Sequence, residues 1–275
     1  MAGMPTTPAA RRPALLDWFG VAARDLPWRH TTDPWRILVS EVMLQQTQAA
    51  RVAPIYERFV ERYPTPEALA DAPLDEVLPL WHGLGYPVRV RRLREAAGSI
   101  ATHGWPADRD GLMALPGVGP YTSAAVASFG LGIPAAVVDT NVRRVLSRWV
   151  GAPLDGAGLS ALADRLLPED HAAWNQALME LGATVCRSTP RCDECPVEPW
   201  CADPTVYQPP PRQPRYKGSL RQVRGDVLRA LADGPVTPAA LGTRTGHGRA
   251  RIADALQGLE RDGLVVSGES VRLAE

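Results

Sequence analysis

The sequence predicts an all-α fold from Pro13 to about Ala202, followed by a smaller region of three helices and a terminal hairpin. Three observations predict it. Apolar residues recur at the 3.6-residue spacing of amphipathic helices. Pro and Gly punctuate those segments with little strand-like alternation. The composition then shifts at Gln208-Pro209-Pro210-Pro211-Arg212-Gln213-Pro214-Arg215, an extended polyproline-type linker. At roughly 100–200 residues per domain, 275 residues make room for two domains and a sizeable core.

Taken in order, helical spacing covers 14–23, 36–51, 52–62, 75–82, 89–101, 121–130, 141–150, 158–167 and 171–184. Beyond the linker, 219–232, 237–243 and 249–262 read as helices. Leu264-Val265-Val266 and Val271-Arg272-Leu273 flank the turn-forming Ser267-Gly268-Glu269-Ser270 as a hairpin. Three helices and a hairpin make a winged helix-turn-helix. The expected division is a tail 1–13, a main domain 14–203, a linker 204–218 and a winged-helix-like domain 219–275.

Thirty Lys+Arg balance thirty Asp+Glu, which excludes a highly basic chromatin-type protein. The balance is uneven along the chain: residues 205–275 hold 11 basic and 7 acidic residues, a net +4, leaving −4 for 1–204. A basic tail gives some support to a nucleic-acid role. All but one of the basic residues are Arg, Lys217 being the exception. The N-terminus lacks the apolar run of a signal peptide and no stretch approaches a membrane span. A cytoplasmic location is therefore expected, where clustered cysteines suggest metal ligation more than disulfides.

The four cysteines, Cys186, Cys192, Cys195 and Cys201, all lie within one short segment. Soft sulfur ligands suit zinc or an iron–sulfur cluster. Zinc sites usually pair two short Cys-x₂₋₄-Cys knuckles, and only Cys192 and Cys195 make one here, which favours the cluster. Leu115-Pro116-Gly117-Val118-Gly119-Pro120-Tyr121-Thr122 places glycines at alternate positions before a helix. It is either an ordinary Gly-rich turn or a place where backbone N–H groups bind a phosphate. Arg89, Arg91, Arg92 and Arg94 make either a phosphate-facing surface or a solvated basic face.

Two carboxylates stand out. Glu41 lies among apolar residues and amides, with Gln45 and Gln48 at i+4 and i+7 as a polar stripe. A carboxylate held there should have a raised pKa and can serve as a general acid; the alternative is an exposed helix glutamate. Asp139 precedes a helical stretch and reads first as an N-cap. Capping leaves catalysis open, because a helix N-terminus keeps a carboxylate ionised.

Taken together, these features resemble the helix-hairpin-helix DNA glycosylases with a C-terminal iron–sulfur cluster, and within them the adenine DNA glycosylases of the MutY type. The resemblance covers roughly residues 14–202. Its most specific segments are Leu26-Pro27-Trp28-Arg29, Ser40-Glu41-Val42-Met43-Leu44-Gln45-Gln46-Thr47-Gln48, Gly83-Leu84-Gly85-Tyr86, Leu115-Pro116-Gly117-Val118-Gly119 and Asn175-Gln176-Ala177-Leu178-Met179-Glu180-Leu181-Gly182-Ala183. It implies a two-lobed helix-hairpin-helix fold and excision of adenine mispaired with 8-oxoguanine or guanine in duplex DNA.

The resemblance also implies roles. Glu41 matches the acid that protonates the flipped adenine at N7. Asp139 matches the carboxylate that stabilises an oxocarbenium-like sugar, with Tyr121 and Asn141 beside it, a logic that parallels retaining glycoside hydrolysis. The base must leave the stack first. Gln46 and Tyr86 match residues that wedge around the opposite base, and Gly117, Gly119, Arg89 and Arg91 are expected at the DNA. Trp28, Arg29, Gln176 and Glu180 are expected in the adenine pocket. Cys186, Cys192, Cys195 and Cys201 are the implied ligands of a [4Fe–4S] cluster. A monomer that works on the nucleoid is expected, with no membrane partner.

Bifunctional relatives such as endonuclease III use a lysine amine to form a Schiff base that leads to strand cleavage. Residues 1–216 contain no lysine, so a monofunctional glycosylase is expected. Two features depart from the family. The first cysteine gap is one residue shorter than usual, implying a tighter or less stable cluster. The C-terminal region is much shorter than the usual Nudix-like domain, leaving the opposite-base preference open. Arg244, Arg249 and Arg251, at the start of the expected recognition helix, are candidates for duplex contact; a docked domain with solvated arginines is the alternative. The competing readings are a thymine or uracil mismatch glycosylase of the same superfamily, and a non-catalytic metal-containing winged-helix DNA-binding protein.

Overall fold

The fold is described here from a computed structural model, over residues 10–209 and 214–274. Most of the expected tail and the middle of the Pro-rich linker lie outside the described residues. In chain order the helices are α1 (Arg11–Ala22), α2 (Pro34–Leu44), α3 (Ala49–Arg62), α4 (Pro66–Ala70), α5 (Leu74–Leu80), α6 (Val88–His103) and α7 (Arg109–Ala114). There follow α8 (Pro120–Ala125), α9 (Thr140–Val150), α10 (Gly156–Leu166), α11 (His171–Thr184), α12 (Leu220–Leu231), α13 (Pro238–Thr245) and α14 (Arg249–Arg261). Strands β1 (Val265–Ser267) and β2 (Val271–Leu273) close the chain. Among the described residues no helix is long and apolar enough to cross a membrane.

By proximity the described residues form two compact units, one of residues 10–37, 108–110 and 119–209, the other of 38–107, 111–118 and 214–274. In the first, α9 buries Val142, Val145, Leu146 and Trp149, one face at helical spacing, against Leu15 of α1 and Trp174, Leu178 and Leu181 of α11. Trp149 and Trp174 meet with ring centroids 6.2 Å apart. The helix starts where Asp139 caps it and stops at Gly151, whose left-handed backbone suits glycine. Helix α1 begins inside the expected tail, because Arg11 is buried: its guanidinium donates to Trp200 O and lies 4.5 Å above the Trp149 ring.

In the second unit, Val52, Ile55, Tyr56, Phe59 and Val60 form the buried stripe of α3. Phe59 packs edge-on against Tyr63 and Trp81. The winged-helix region belongs to this unit. Ser219 and Thr237 cap α12 and α13 through their side chains. Val223, Val227, Leu241, Ile252, Leu259 and Leu264 fill its core. The strands pair antiparallel with Val266 opposite Arg272, and Val236 bridges Val271.

Two expected helices are corrected. The stretch 36–51 is not continuous: α2 ends at Leu44, Gln46 is left-handed with φ 59°, and α3 starts at Ala49. Gln48 therefore precedes α3 and does not share a helical stripe with Glu41. The stretch 121–130 is helical throughout, but its α-helix ends at Ala125 and the chain continues to Gly130 as a wider π-helix, with Leu131 N–H donating to Val126 O, five residues back. Helices α4 and α7, of five and six residues, were too short for a periodicity signal.

Candidate active site and cysteine site

Asp139 sits at the end of an extended segment that α11 holds in place. Asn175, 2% exposed, accepts from Val137 N–H and donates to Ala135 O and Ser128 Oγ, and Ser128 in turn bonds His171. The Asp139 carboxyl then accepts from Val142 N–H and from the Asn141 side chain, each at 2.7 Å. The helix terminus does not hold its pKa down as expected. Burial dominates and pushes it up; the bonds from Val142 and Asn141 and the charge of Arg144 offset only part of this. Asn141 is itself fixed by Arg144, which also donates to Gly182 O and Cys186 O. Gly182 is required there: a Cβ would lie 2.6 Å from that of Asn141. Tyr121 is half-buried in the first turn of α8.

A second cluster lies in the same unit. Glu180 is fully buried, and its carboxylate accepts from Arg24 Nε and NH2 and from Arg29 NH2 at 2.6–2.9 Å. Burial alone would raise its pKa, but the bonds from Arg24 and then Arg29 outweigh it and hold the group below the ordinary range. Two guanidiniums around one carboxylate leave this corner positive. Trp28 is buried in the turn Pro27–Arg29, and Gln176 is half-buried one turn before Glu180. Arg24 carried no sequence signal; its partner is 156 residues away.

In the second unit, Glu41 is 4% exposed on α2, so the exposed-glutamate alternative does not hold. Gln46 and Tyr86, the two residues matched to the wedge, are the only non-glycine residues with positive φ among those described. Such backbone is uncommon outside glycine and points to a functional constraint. One side chain ties both loops together. Arg89, 8% exposed, donates to the carbonyls of Val42, Met43 and Gln45 before Gln46, and to those of Leu84 and Gly85 before Tyr86. Its guanidinium lies 5.5 Å from the Trp81 ring centroid and 5.6 Å from that of Tyr86. Burial pushes its pKa down to about 10.

Arg89 is therefore not on a phosphate-facing surface; it satisfies the carbonyls that the broken helix leaves open. Arg91 pairs with Glu95 on its own helix. Arg92 is exposed beside Gly117, where a Cβ would come within 3.0 Å of it. Gly117 has φ 78° and turns the hairpin, while Val118 N–H is taken by Leu115 O and Gly119 starts α8. Arg244 and Arg249 are exposed, Arg244 bonding Ala230 O and Arg251 bonding Gly218 O.

The four cysteines are all reduced, half-buried and line one cavity of about 60 Å³ in the first unit. Arg148, 1% exposed, holds their loop: it donates to Val206 O, Arg187 O and Ser188 O and to Cys186 Sγ. The shortened segment Arg187–Arg191 closes on Val185 O, which accepts from both of its end N–H groups. Burial raises the thiol of Cys195 to about 11 and that of Cys201 in the same direction. Arg148 was visible in the sequence as a charge on the apolar face of α9, three residues after Val145 and one before Trp149.

Residues 39–157 match the HhH-GPD superfamily of base excision DNA repair proteins, and 221–272 match the MarR family. The chain is 47% identical over 280 residues to an adenine DNA glycosylase of Mycobacterium tuberculosis, covering 94% of this chain and 91% of that one. It is 45% identical to one from Mycolicibacterium smegmatis, covering 94% of each. The human adenine DNA glycosylase is 43% identical over 212 residues, 70% of this chain and 39% of that one. Coverage of 94% necessarily runs into the winged helix; the human match is shorter. Among solved structures, a thermostable thymine-DNA glycosylase superposes with TM-score 0.65 at 33% identity, over 69% of this chain and 93% of that one. A trapped endonuclease III–DNA covalent intermediate superposes with TM-score 0.61 at 27% identity, over 71% and 94%.

Proposed function

The chain belongs to the adenine DNA glycosylase family, within the HhH-GPD superfamily of base excision DNA repair proteins, and on that premise we propose that it removes adenine mispaired with 8-oxoguanine or guanine in duplex DNA, without cutting the strand. The adenine must first leave the stack, because its glycosidic bond is out of reach inside a duplex. Glu41 then delivers a proton to N7, and the glycosidic electron pair leaves with the neutral base. Asp139 stabilises the cationic sugar. A carboxyl whose pKa is raised by burial is the better electron-pair donor once ionised, and the bonds from Val142 and Asn141 fix its direction. Tyr121 and Asn141 position it. Trp28, Arg29, Gln176 and Glu180 shape the base pocket, with Arg29 oriented by Glu180. Gln46 and Tyr86 fill the space around the opposite base, and Arg92 with the hairpin glycines Gly117 and Gly119 meets the phosphates.

The observation that carries the reading is a buried Glu41 together with an Asp139 held by two donors. The absence of lysine from residues 1–216 supports hydrolysis over Schiff-base chemistry. The experiment is single-turnover base release from duplexes with adenine opposite 8-oxoguanine, adenine opposite guanine, and thymine or uracil opposite guanine. Adenine alone should be released, and Glu41→Gln should bind DNA while losing at least ~10²-fold in rate. Release of thymine, or an unimpaired Glu41→Gln, contradicts the reading. Efficient borohydride trapping of a DNA adduct contradicts the monofunctional part.

We read Cys186, Cys192, Cys195 and Cys201 as the ligands of a [4Fe–4S] cluster. The all-sulfur donor set, its shared cavity and the Arg148 guanidinium beside Cys186 suit a cluster whose charge is balanced by donors around it. When bound, it would cross-link the loop and displace the protons that burial keeps on Cys195 and Cys201. Iron and acid-labile sulfide in matching amounts support this; stoichiometric zinc contradicts it. The protein acts as a monomer in the cytoplasm, on the nucleoid; self-association in sedimentation runs would contradict the first part.

A further inference from the structure

The loop from Trp81 to Tyr86 is gripped twice within the second unit. From inside, Arg89 donates to Leu84 O and Gly85 O, and Trp81 Nε1 donates to Gly85 O. From the winged-helix region, Arg221 donates to the Tyr86 hydroxyl at 2.6 Å, with its guanidinium carbon 5.7 Å from the ring centroid. Two turns further along α12, Arg229 Nε donates to His82 Nε2 at 2.8 Å. Burial and then the Arg229 charge lower the His82 pKa, as an accepting neutral imidazole requires. Arg221 and Arg229 lie at i and i+8, on one face of the helix. Gly263, after α14, lies against the Arg91 side chain.

We propose that Arg221 is a positioning residue for Tyr86, through which the winged helix fixes the side chain that meets the base opposite adenine. The inference rests on the reading of Tyr86 as that wedge. Tyr86 has φ 47° and follows two glycines of positive φ, so its loop has no regular backbone to hold the ring. A guanidinium from each side, Arg89 at 5.6 Å and Arg221 at 5.7 Å, supplies that hold while the ring stays half-exposed. A wedge fixed beforehand loses less conformational freedom on meeting DNA and distinguishes opposite bases more sharply. Arg221 itself is oriented by Pro214 O at the end of the linker. The winged helix thus acts on base recognition through the catalytic region's own tyrosine.

The test is a double-mutant cycle on the full chain. Single-turnover adenine release opposite 8-oxoguanine and opposite guanine is measured for Arg221→Met, Arg221→Lys, Tyr86→Phe and Arg221→Met/Tyr86→Phe. Arg221→Met should lower the ratio of the two rates roughly tenfold with its melting temperature unchanged, a readout that a merely structural role would not move. Arg221→Lys, which keeps a charged donor, should recover most of the ratio. Arg221→Met should cost much less in the Tyr86→Phe background, because the accepting hydroxyl is already gone. Additive effects, or a wild-type ratio in Arg221→Met, overturn the proposal. Tyr86→Ala separates the premise: a wild-type ratio there overturns the wedge reading itself, whereas an altered ratio beside an unaffected Arg221→Met overturns only the role of Arg221.

Discussion

Arg89 and Arg148 do the same physical job in different units, and the difference lies in what each one holds. Arg89 satisfies five carbonyls around two loops that end in the strained Gln46 and Tyr86, with aromatic rings as its other neighbours. Arg148 satisfies three carbonyls and a cysteine sulfur around the loop that carries the thiols. A guanidinium suits both places because its rigid fork reaches several carbonyls at once and is more weakly hydrated than an ammonium. The comparison teaches that the arginine content of this chain is not a measure of its phosphate contacts. Some of the most informative arginines are buried scaffolding, and one holds the loops that carry Gln46 and Tyr86 while the other holds the loop that carries the four cysteines.

The comparison can be broken by substitution, and the largest effect is expected at Arg148. Arg148→Met leaves buried carbonyls unsatisfied and should cost ~3–5 kcal/mol of stability, with iron content falling in parallel. Arg89→Met should cost ~2–4 kcal/mol and reduce opposite-base discrimination, with iron retained. Chemical denaturation and iron analysis check both. Iron loss in Arg89→Met comparable to that in Arg148→Met would erase the proposed division of labour. Arg89→Lys should recover little, since one ammonium cannot serve two loops. The smallest effect is expected at Arg91→Ala, within about 0.5 kcal/mol, because its partner Glu95 is a helix-surface neighbour.

Most of the helices were legible because burial follows their 3.6-residue spacing, as in Val52, Ile55, Phe59 and Val60 of α3. The winged helix was legible from its turn chemistry and hairpin. What sequence reading missed was decided at long range. The break at Gln46 depends on Arg89, forty-three positions away, accepting the role of helix cap. Arg24 and Glu180 meet across 156 residues. Local reasoning also misjudged Asp139: it identified the cap correctly, but the direction of the pKa depends on how deeply the surrounding chain buries the carboxyl. Of the motif residues, Gly182 is explained by its close approach to Asn141, and Asn175 by its anchoring of the segment before Asp139.

The role of Asp139 as the carboxylate that stabilises the sugar cation is tested by Asp139→Asn. Asparagine can still cap α9, but it cannot supply a negative charge to the sugar. Because the folded pKa of Asp139 lies above the ordinary 3.8, burying this carboxyl costs the fold stability at neutral pH; that cost disappears as the pH falls from the folded pKa to the unfolded one. The variant should therefore be at least as stable as the parent at neutral pH, with any advantage fading toward acid. Adenine release from an adenine·8-oxoguanine duplex under single-turnover conditions should meanwhile fall by roughly 10³-fold. A stable Asp139→Asn protein that releases adenine at the parent rate would contradict the account.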